Sequence, residues 1–372
     1  RRGRALAATA ATLALLASTG LTNAQAATSY PSDTAKPDLM PALSGYSDLW
    51  QSSGLNDLHG TVKNSTVLQW NDRVTSWINQ HATAKQQFRA LQNSNYLASD
   101  GSGYDQSITI ADGLGQRLGA LYVEGRVTGK LPLTSKLLSN TDGTIGRYVT
   151  TGALKKQFGY PRPFLPADPK AAAVPGDSSV CAASRVNASS LAPMRKGQPW
   201  ADAAGNLLIT RVPDATDTSG RFSAKPVKLS GDYGSSGLCT GGSFPSGHTT
   251  SAYLSGIALA TLLPELAPSI LARTPEAANN RVVLGVHYPL DVIGGRINGQ
   301  AGVTTDLNLL VFRADTGAFI AARSLTSELT RSSSSSNTRR KRRSVSPASA
   351  SRRRYTAGRR SYSRSIIVVA PG

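Results

Sequence analysis

The sequence predicts an all-α protein: a helical bundle interrupted by a long irregular loop region at about residues 164–243. Three observations lead there. Apolar residues recur at helical rather than alternating spacing through most of the middle of the chain. Aromatic residues make up 6% of the 372 positions against 40% hydrophobic residues overall, so small and aliphatic side chains dominate, which suits closely packed helices. No alternating run of useful strand length and no internal repeat is present. A chain of this length can bury a substantial core.

The elements follow in order. Trp70 to Ile78, with the Ala/Gln-rich stretch on to Leu91, carries apolar residues at helical spacing. Asp105 to Ile108 opens a second helix, with Ile110, Leu114, Leu118, Leu121 and Tyr122 along one stripe and Gly129 and Pro132 as its stop. Leu133 to Leu138 starts another, and residues 141–156 give a segment ending at Gly159-Tyr160-Pro161-Arg162-Pro163. The 164–243 region is rich in Pro, Gly, Ser and Asp, with one short hairpin expected around Asn206 to Val212. Loops this long in a compact domain are usually functional, so this one is expected to rim a pocket.

Helix then returns. Ser246 to Leu263 follows a Pro-Ser-Gly start. Thr274-Pro275-Glu276 reads as an N-cap with Pro at the first helical position, leading into Ala277 to Val286. Pro289 begins a last segment through Asp291, Ile293 and Ile297.

The ends differ from the middle. Arg1, Arg2 and Arg4 precede an apolar run from Ala5 to Leu21 and then Ala24-Gln25-Ala26. That order reads as a secretory signal over residues 1–26, cut before Ala27, and implies a secreted or periplasmic/extracellular protein. No later stretch reaches the roughly 18–20 apolar residues that span a bilayer, so no integral membrane association is expected. The two cysteines, Cys181 and Cys239, are an even count in an exported chain, which favours a disulfide between them.

Of the net charge of +19, residues 331–372 hold twelve Arg or Lys and no acid. This Ser/Arg-rich tail is expected to be disordered. Nucleic acid or an anionic surface would be engaged only through it. Residues 27–330 are left as the catalytic domain, with its core at about 100–305.

Three blocks carry chemistry: Lys155 to Pro163, Pro245-Ser246-Gly247-His248, and Arg281 to Asp291. Together they hold two of the chain's four histidines. A phosphoryl group in transfer spreads charge over three equatorial oxygens, so a catalyst needs fixed positive charge around it. Lys155, Arg162 and Arg281 supply that charge, Arg as a fork and Lys as a point charge, although Lys156 is an alternative to Lys155. Ser246 and Gly247 stand at a helix start, where backbone amides bind anions, and the Ser246 hydroxyl can donate as well. His248 is placed to protonate a leaving alkoxide. His287 and Asp291 are four apart and share a face if that stretch is helical, the carboxylate fixing the imidazole tautomer. Arg281 lies six residues before His287, so the backbone must bend between them, and Gly285 and Pro289 permit it. The blocks lack HExxH and clustered carboxylates, so no metal site is expected. His59 and His81 receive no role.

The blocks resemble the signature of the type 2 phosphatidic acid phosphatase superfamily, which includes bacterial non-specific acid phosphatases and vanadium haloperoxidases. That signature is Lys, six residues, Arg-Pro; Pro-Ser-Gly-His; and Ser-Arg, five residues, His, three residues, Asp. Lys155, Arg162-Pro163, Pro245 to His248, Arg281, His287 and Asp291 match it, and Asn280 stands where the pattern has Ser. The resemblance covers roughly residues 100–300, and Ala111 to Gly115 with Leu121-Tyr122 is similar to the soluble, secreted phosphatase branch. It implies a helical bundle with the site among helix ends. It also implies His287 as nucleophile, His248 as proton donor, Asp291 as the residue that orients His287, and Lys155, Arg162, Ser246, Gly247 and Arg281 as phosphate ligands.

The function expected is thus a secreted, metal-independent acid phosphatase acting on small phosphomonoesters through a phosphohistidine, with no cofactor and with vanadate as an inhibitor. The alternatives are a vanadate-dependent haloperoxidase, in which vanadate is the cofactor, and a nucleic-acid or anionic-surface binding protein acting through the tail.

Overall fold

A computed structural model describes residues 38–95, 111–131, 151–223, 225–313, 319–324 and 365–371. The chain divides into one unit of Lys36–Thr304 and another of Arg1–Ala35 with Thr305–Gly372. The expected signal at 1–26 and the helix starts at Asp105 and Leu133 lie outside the described residues.

The first unit is mostly helical. Helix α1 (Met40–Leu43) and a 3-10 turn (Ser44–Asp48) lead into strand β1 (Trp50–Ser52), which pairs antiparallel with β2 (Gly60–Val62), Trp50 opposite Val62. Helix α2 (Ser65–Gln80) is capped by Asn64, whose side chain accepts from the Val67 amide. Helices α3 (Ala84–Asn95), α4 (Gln116–Val127), α5 (Gly152–Phe158) and α6 (Ala192–Arg195) follow. Strands β3 (Ala215–Asp217) and β4 (Val227–Leu229) pair antiparallel, and helix α7 (Ser236–Cys239) precedes the long α8 (Gly247–Leu262), α9 (Ala267–Val283) and α10 (Pro289–Asp306). Among the described residues no helix is long and apolar enough to cross a membrane.

Helix α2 is inverted relative to its apolar periodicity. Trp70 and Trp77 are 59% and 61% exposed, whereas Asn71, Asp72, Thr75, Ser76 and Asn79 are buried. The polar face is inside because it binds backbone there. The Ser76 hydroxyl donates to the Leu208 carbonyl (2.9 Å), and Asn79 Nδ2 donates to the carbonyls of Thr210 (3.0 Å) and Val283 (2.8 Å). A buried polar group with partners is tolerated where one without them is not.

Four expectations are corrected. Helix α9 begins at Ala267 with Pro268 in its first turn, and Pro275 lies inside it. Thr274 is therefore buried within the helix, its hydroxyl donating to the Ile270 carbonyl (3.3 Å). An interior proline costs about 3 kcal/mol, which burial of Ile270, Ala277, Ala278 and Val282 offsets. The hairpin falls at β3–β4, and near Asn206 there is only a bridge between Ala201 and Leu207. In α4, Leu118 and Leu121 are exposed while Leu114, just before the helix, and Tyr122 are buried, so these four residues do not form one inward stripe, and Ile110 lies outside the described residues. Finally, Ser365–Pro371 in the tail is a strand (β7). In the second unit it and β6 (Phe319–Ser324) flank β5 (Leu307–Arg313), both antiparallel to it. Ile366, Ile367, Val368 and Val369 are β-branched, which favours extended backbone.

An aromatic cluster in the first unit holds the three motif segments together. Tyr46 stacks on Phe244 with ring centroids 3.8 Å apart and meets Phe158 and Tyr160 edge-on, each at 5.6 Å. Tyr160 meets Trp50 at 5.2 Å and Tyr288 at 5.3 Å. Such pairs contribute roughly 0.5–1.5 kcal/mol each beyond the area they bury. Phe158 and Tyr160 belong to the first block, Phe244 immediately precedes the second, and Tyr288 follows His287 in the third.

Candidate active site

On that cluster the motif residues converge. A cavity of about 560 Å³ is lined by Lys155, Arg162, Gly247, His248, Arg281 and His287, with further residues from α3 and from the 230–238 segment.

Lys155 sits in the last turn of α5, which ends at Gly159 in the left-handed region (φ 50°). Its Nζ donates to the carbonyls of Gly242 (2.7 Å) and Ser243 (3.1 Å), tying the first block to the second. Burial, then Arg162 and Arg281, push its pKa well below the ordinary lysine value. Lys156, by contrast, is exposed and outside the lining. Arg162 is buried; its Nε donates to the Gly241 carbonyl (3.2 Å) and its Nη1 to the Val286 carbonyl (2.9 Å).

The third block enters through a helix stop. Helix α9 ends at Val283, the Gly285 amide donates to the Val282 carbonyl (2.8 Å) and the Val286 amide to the Arg281 carbonyl (3.2 Å). This double closure requires a left-handed residue, and Gly285 has φ 68°. The chain reverses there, so Arg281 on the last helical turn and His287 beyond it reach the same cavity. Arg281 Nη1 donates to the Ser94 hydroxyl (3.0 Å).

His287 precedes α10 and is not helical, which corrects the expectation of a shared helical face with Asp291. The contact arises instead from helix entry. Asp291 lies in the first turn of α10, and its Oδ2 accepts from the Tyr288 amide (2.8 Å) and from His287 Nδ1 (3.1 Å). The Ser243 hydroxyl donates to the same oxygen. With Nδ1–H given to Asp291, His287 Nε2 is the lone-pair nitrogen, and Arg162 Nη1 donates to it at 2.9 Å. Burial first, then the three cations Arg162, Lys155 and Arg281, hold the His287 pKa well below its ordinary value. Burial pushes Asp291 up to about 6 against the lowering effect of Ser243 and the Tyr288 amide.

His248 opens α8 beside Gly247, and burial followed by Arg281, Arg162 and Lys155 lowers its pKa. Ser246 is placed differently from expectation. Fully buried and outside the cavity lining, it accepts through Oγ from the amide (3.3 Å) and hydroxyl (2.9 Å) of Thr249 as the N-cap of α8, while its amide donates to the Asp291 carbonyl (2.9 Å). It braces the second block against the third. Gly295 and Gly299 of α10 let that helix lie close, since a Cβ at either would meet the Ser246 or the Thr250 carbonyl oxygen at 2.5 Å. Asn280 is buried, and its Nδ2 has no hydrogen-bond partner among the described residues.

Cys181 and Cys239 are bonded, with Cα atoms 5.2 Å apart. His59 and His81 lie away from the cavity, the first beside Asn187 and the second stacked on Trp77. Among the described residues no group of three His, Cys, Asp or Glu could hold a metal ion. The 230–238 segment lines the cavity as expected of the 164–243 loop, whereas sequence reasoning missed Ser243 and Ser94 individually, neither of which carries a local motif.

The chain has sequence parallels. A 68-residue stretch is 38% identical to a non-specific acid phosphatase of Providencia stuartii, covering 18% of this chain and 27% of that protein. A 79-residue stretch is 43% identical to an acid phosphatase of Zymomonas mobilis subsp. mobilis (21% and 30%). A third, of 53 residues, is 47% identical to a decaprenylphosphoryl-5-phosphoribose phosphatase of Mycolicibacterium smegmatis (14% and 28%). The chain thus spans under a third of the length of each of these relatives. Residues 143–305 match the sequence model of the PAP2 superfamily. All three motif blocks lie inside that span and gather around one cavity, which makes this region of the chain similar to the PAP2 superfamily.

Proposed function

We propose that the protein is a metal-independent acid phosphatase that hydrolyses phosphomonoesters through a phosphohistidine and acts outside the cytoplasm. One observation carries the reading: His287 is anchored through Nδ1 on Asp291 while its Nε2 meets Arg162 at the wall of a cavity that also holds Lys155, Arg281 and His248. The three cations take the phosphoryl oxygens. The Nε2 lone pair attacks phosphorus, the ester P–O bond breaks, and the leaving oxygen takes the proton of His248. Water then gives a proton back to His248 and its oxygen attacks phosphorus. The P–N bond breaks, releasing inorganic phosphate and neutral His287.

The depressed His287 pKa supports this role, because the imidazole stays nucleophilic in mild acid. A phosphate dianion offsets the push of the three cations on His248 and favours its protonated form. The Cys181–Cys239 bond supports an oxidising compartment.

The test is hydrolysis of p-nitrophenyl phosphate with acid-quench trapping of labelled phosphoenzyme. Activity that survives EDTA, falls with orthovanadate and loses the trapped label in His287→Ala is expected. Full activity of His287→Ala, or abolition by EDTA, would sink the reading.

A further inference from the structure

Beyond the motif blocks, the cavity is lined by Ser94 and Asn95 at the end of α3 and by Ser230, Asp232, Ser235 and Leu238. Among the described lining residues Leu238 is the one large apolar side chain, and Asp232 is the one acid. The rim is held firmly. Asn95 Nδ2 donates to the Ser230 carbonyl (2.7 Å), and the Ser230 amide donates back to Asn95 Oδ1 (3.1 Å). The Asp232 amide donates to the Ser230 hydroxyl (3.2 Å), and the Ser235 amide donates to the Asp232 carbonyl (3.1 Å). Four residues beyond Ser235, Cys239 is bonded to Cys181. Asp232 itself has φ 56°, a left-handed conformation that few residues other than Gly, Asn and Asp adopt readily.

We propose that Asp232 determines specificity: it selects leaving groups that carry hydroxyl donors, as in sugar monophosphates, and rejects substrates with a second anionic group or an acyl chain. This rests on the phosphatase reading of the same cavity. Lys155, Arg162 and Arg281 attract any anion. An exposed carboxylate in the same lining accepts hydrogen bonds from a polyol and repels a second phosphate. A wall of Ser, Asn and Asp gives an acyl chain little to bury against.

The experiment compares Asp232→Asn with the unmodified chain on fructose 6-phosphate, fructose 1,6-bisphosphate, p-nitrophenyl phosphate and phosphatidic acid in detergent micelles. Asn tolerates the left-handed backbone, and a ratio of two substrates on one preparation does not depend on how much of it folds. For fructose 6-phosphate relative to p-nitrophenyl phosphate, kcat/KM is expected to fall ~10-fold, the scale of one hydrogen bond to a charged acceptor. For the bisphosphate relative to fructose 6-phosphate it is expected to rise about threefold as the repulsion is relieved. Unchanged ratios, or phosphatidic acid turned over faster than fructose 6-phosphate by the unmodified chain, would overturn the assignment of Asp232 while leaving the phosphatase reading intact. No hydrolysis of any ester would remove both.

Discussion

Arg195 and Asp72 form a two-pronged ion pair with both side chains fully buried, Nε to Oδ2 at 2.9 Å and Nη2 to Oδ1 at 3.0 Å. The same Nη2 donates to the Tyr288 hydroxyl at 2.9 Å, next in sequence to His287. The inverted polar face of α2 thus holds the residue after the proposed nucleophile. Burial alone would lower the Arg195 pKa; Asp72 outweighs it and keeps the guanidinium charged.

Removing one partner strands the other. Asp72→Ala is expected to cost about 3–5 kcal/mol in urea unfolding, the scale for an uncompensated buried charge. Tyr288→Phe removes only the hydroxyl and should cost about 1–3 kcal/mol. If the pair also positions His287, Tyr288→Phe lowers kcat more than it changes KM. A stability loss with kcat intact would make the pair a structural feature alone.

Asp291 links pH to both stability and rate, in opposite directions. Its pKa is raised from 3.8 to about 6, so between those values the folded protein holds a proton that the unfolded chain has released. The stability it contributes is therefore full below about pH 4 and is lost as pH rises through 6, about 3 kcal/mol in all. The proposed mechanism needs the ionised form, because a protonated Asp291 no longer fixes the His287 tautomer. We expect kcat/KM to rise through about pH 6 while the contribution of this group to stability falls. Asp291→Asn should flatten the acid limb and lower kcat ~10²- to 10⁴-fold, the scale seen when an imidazole loses its orienting carboxylate. An acid limb that persists unchanged in Asp291→Asn would assign it to another group.

Ser243 offers a milder perturbation of the same carboxylate. Its hydroxyl donates to Asp291 Oδ2 and lowers the Asp291 pKa. Ser243→Ala removes a donor to the ionised form, so the acid limb of the pH–rate profile should move to higher pH by about one unit, the equivalent of one lost hydrogen bond. A shift to lower pH would contradict the direction of that bond.

Much of the site was legible in the sequence because its parts are local. A Pro-Ser-Gly start announces the N-terminus of α8, and Gly285 announces the reversal between Arg281 and His287. What could not be read depends on contacts between segments far apart in the chain. Ser243 pairs with Asp291 across 48 residues and Asp72 with Arg195 across 123, with no spacing rule to connect them. The outward Trp70 and Trp77 mislead for the same reason, since apolar periodicity presumes an apolar interior and here α2 faces backbone carbonyls. At α9 the start was read at Pro275, whereas the helix begins a turn and more earlier, with Pro268 in its first turn, and packs along α8.

Gly285 provides the test that the reversal itself matters. Any side chain there must adopt φ near 68°, and a Cβ would stand 2.5 Å from Ile209 Cγ2 and 3.1 Å from Asn79 Nδ2. Left-handed backbone at a non-glycine residue costs about 1–3 kcal/mol. The crowding falls on Asn79, the side chain that ties α2 to the Val283 and Thr210 carbonyls. Gly285→Ala should therefore lower the urea midpoint and also displace His287 relative to Arg281, because these two lie on opposite sides of the bend. The rate loss should exceed that of Gly129→Ala, a change at another left-handed glycine, in the turn after α4, where a Cβ would meet nothing within 4 Å. Equal losses of stability and of kcat in the two variants would mean that the reversal is an ordinary helix stop with no part in aligning the cage.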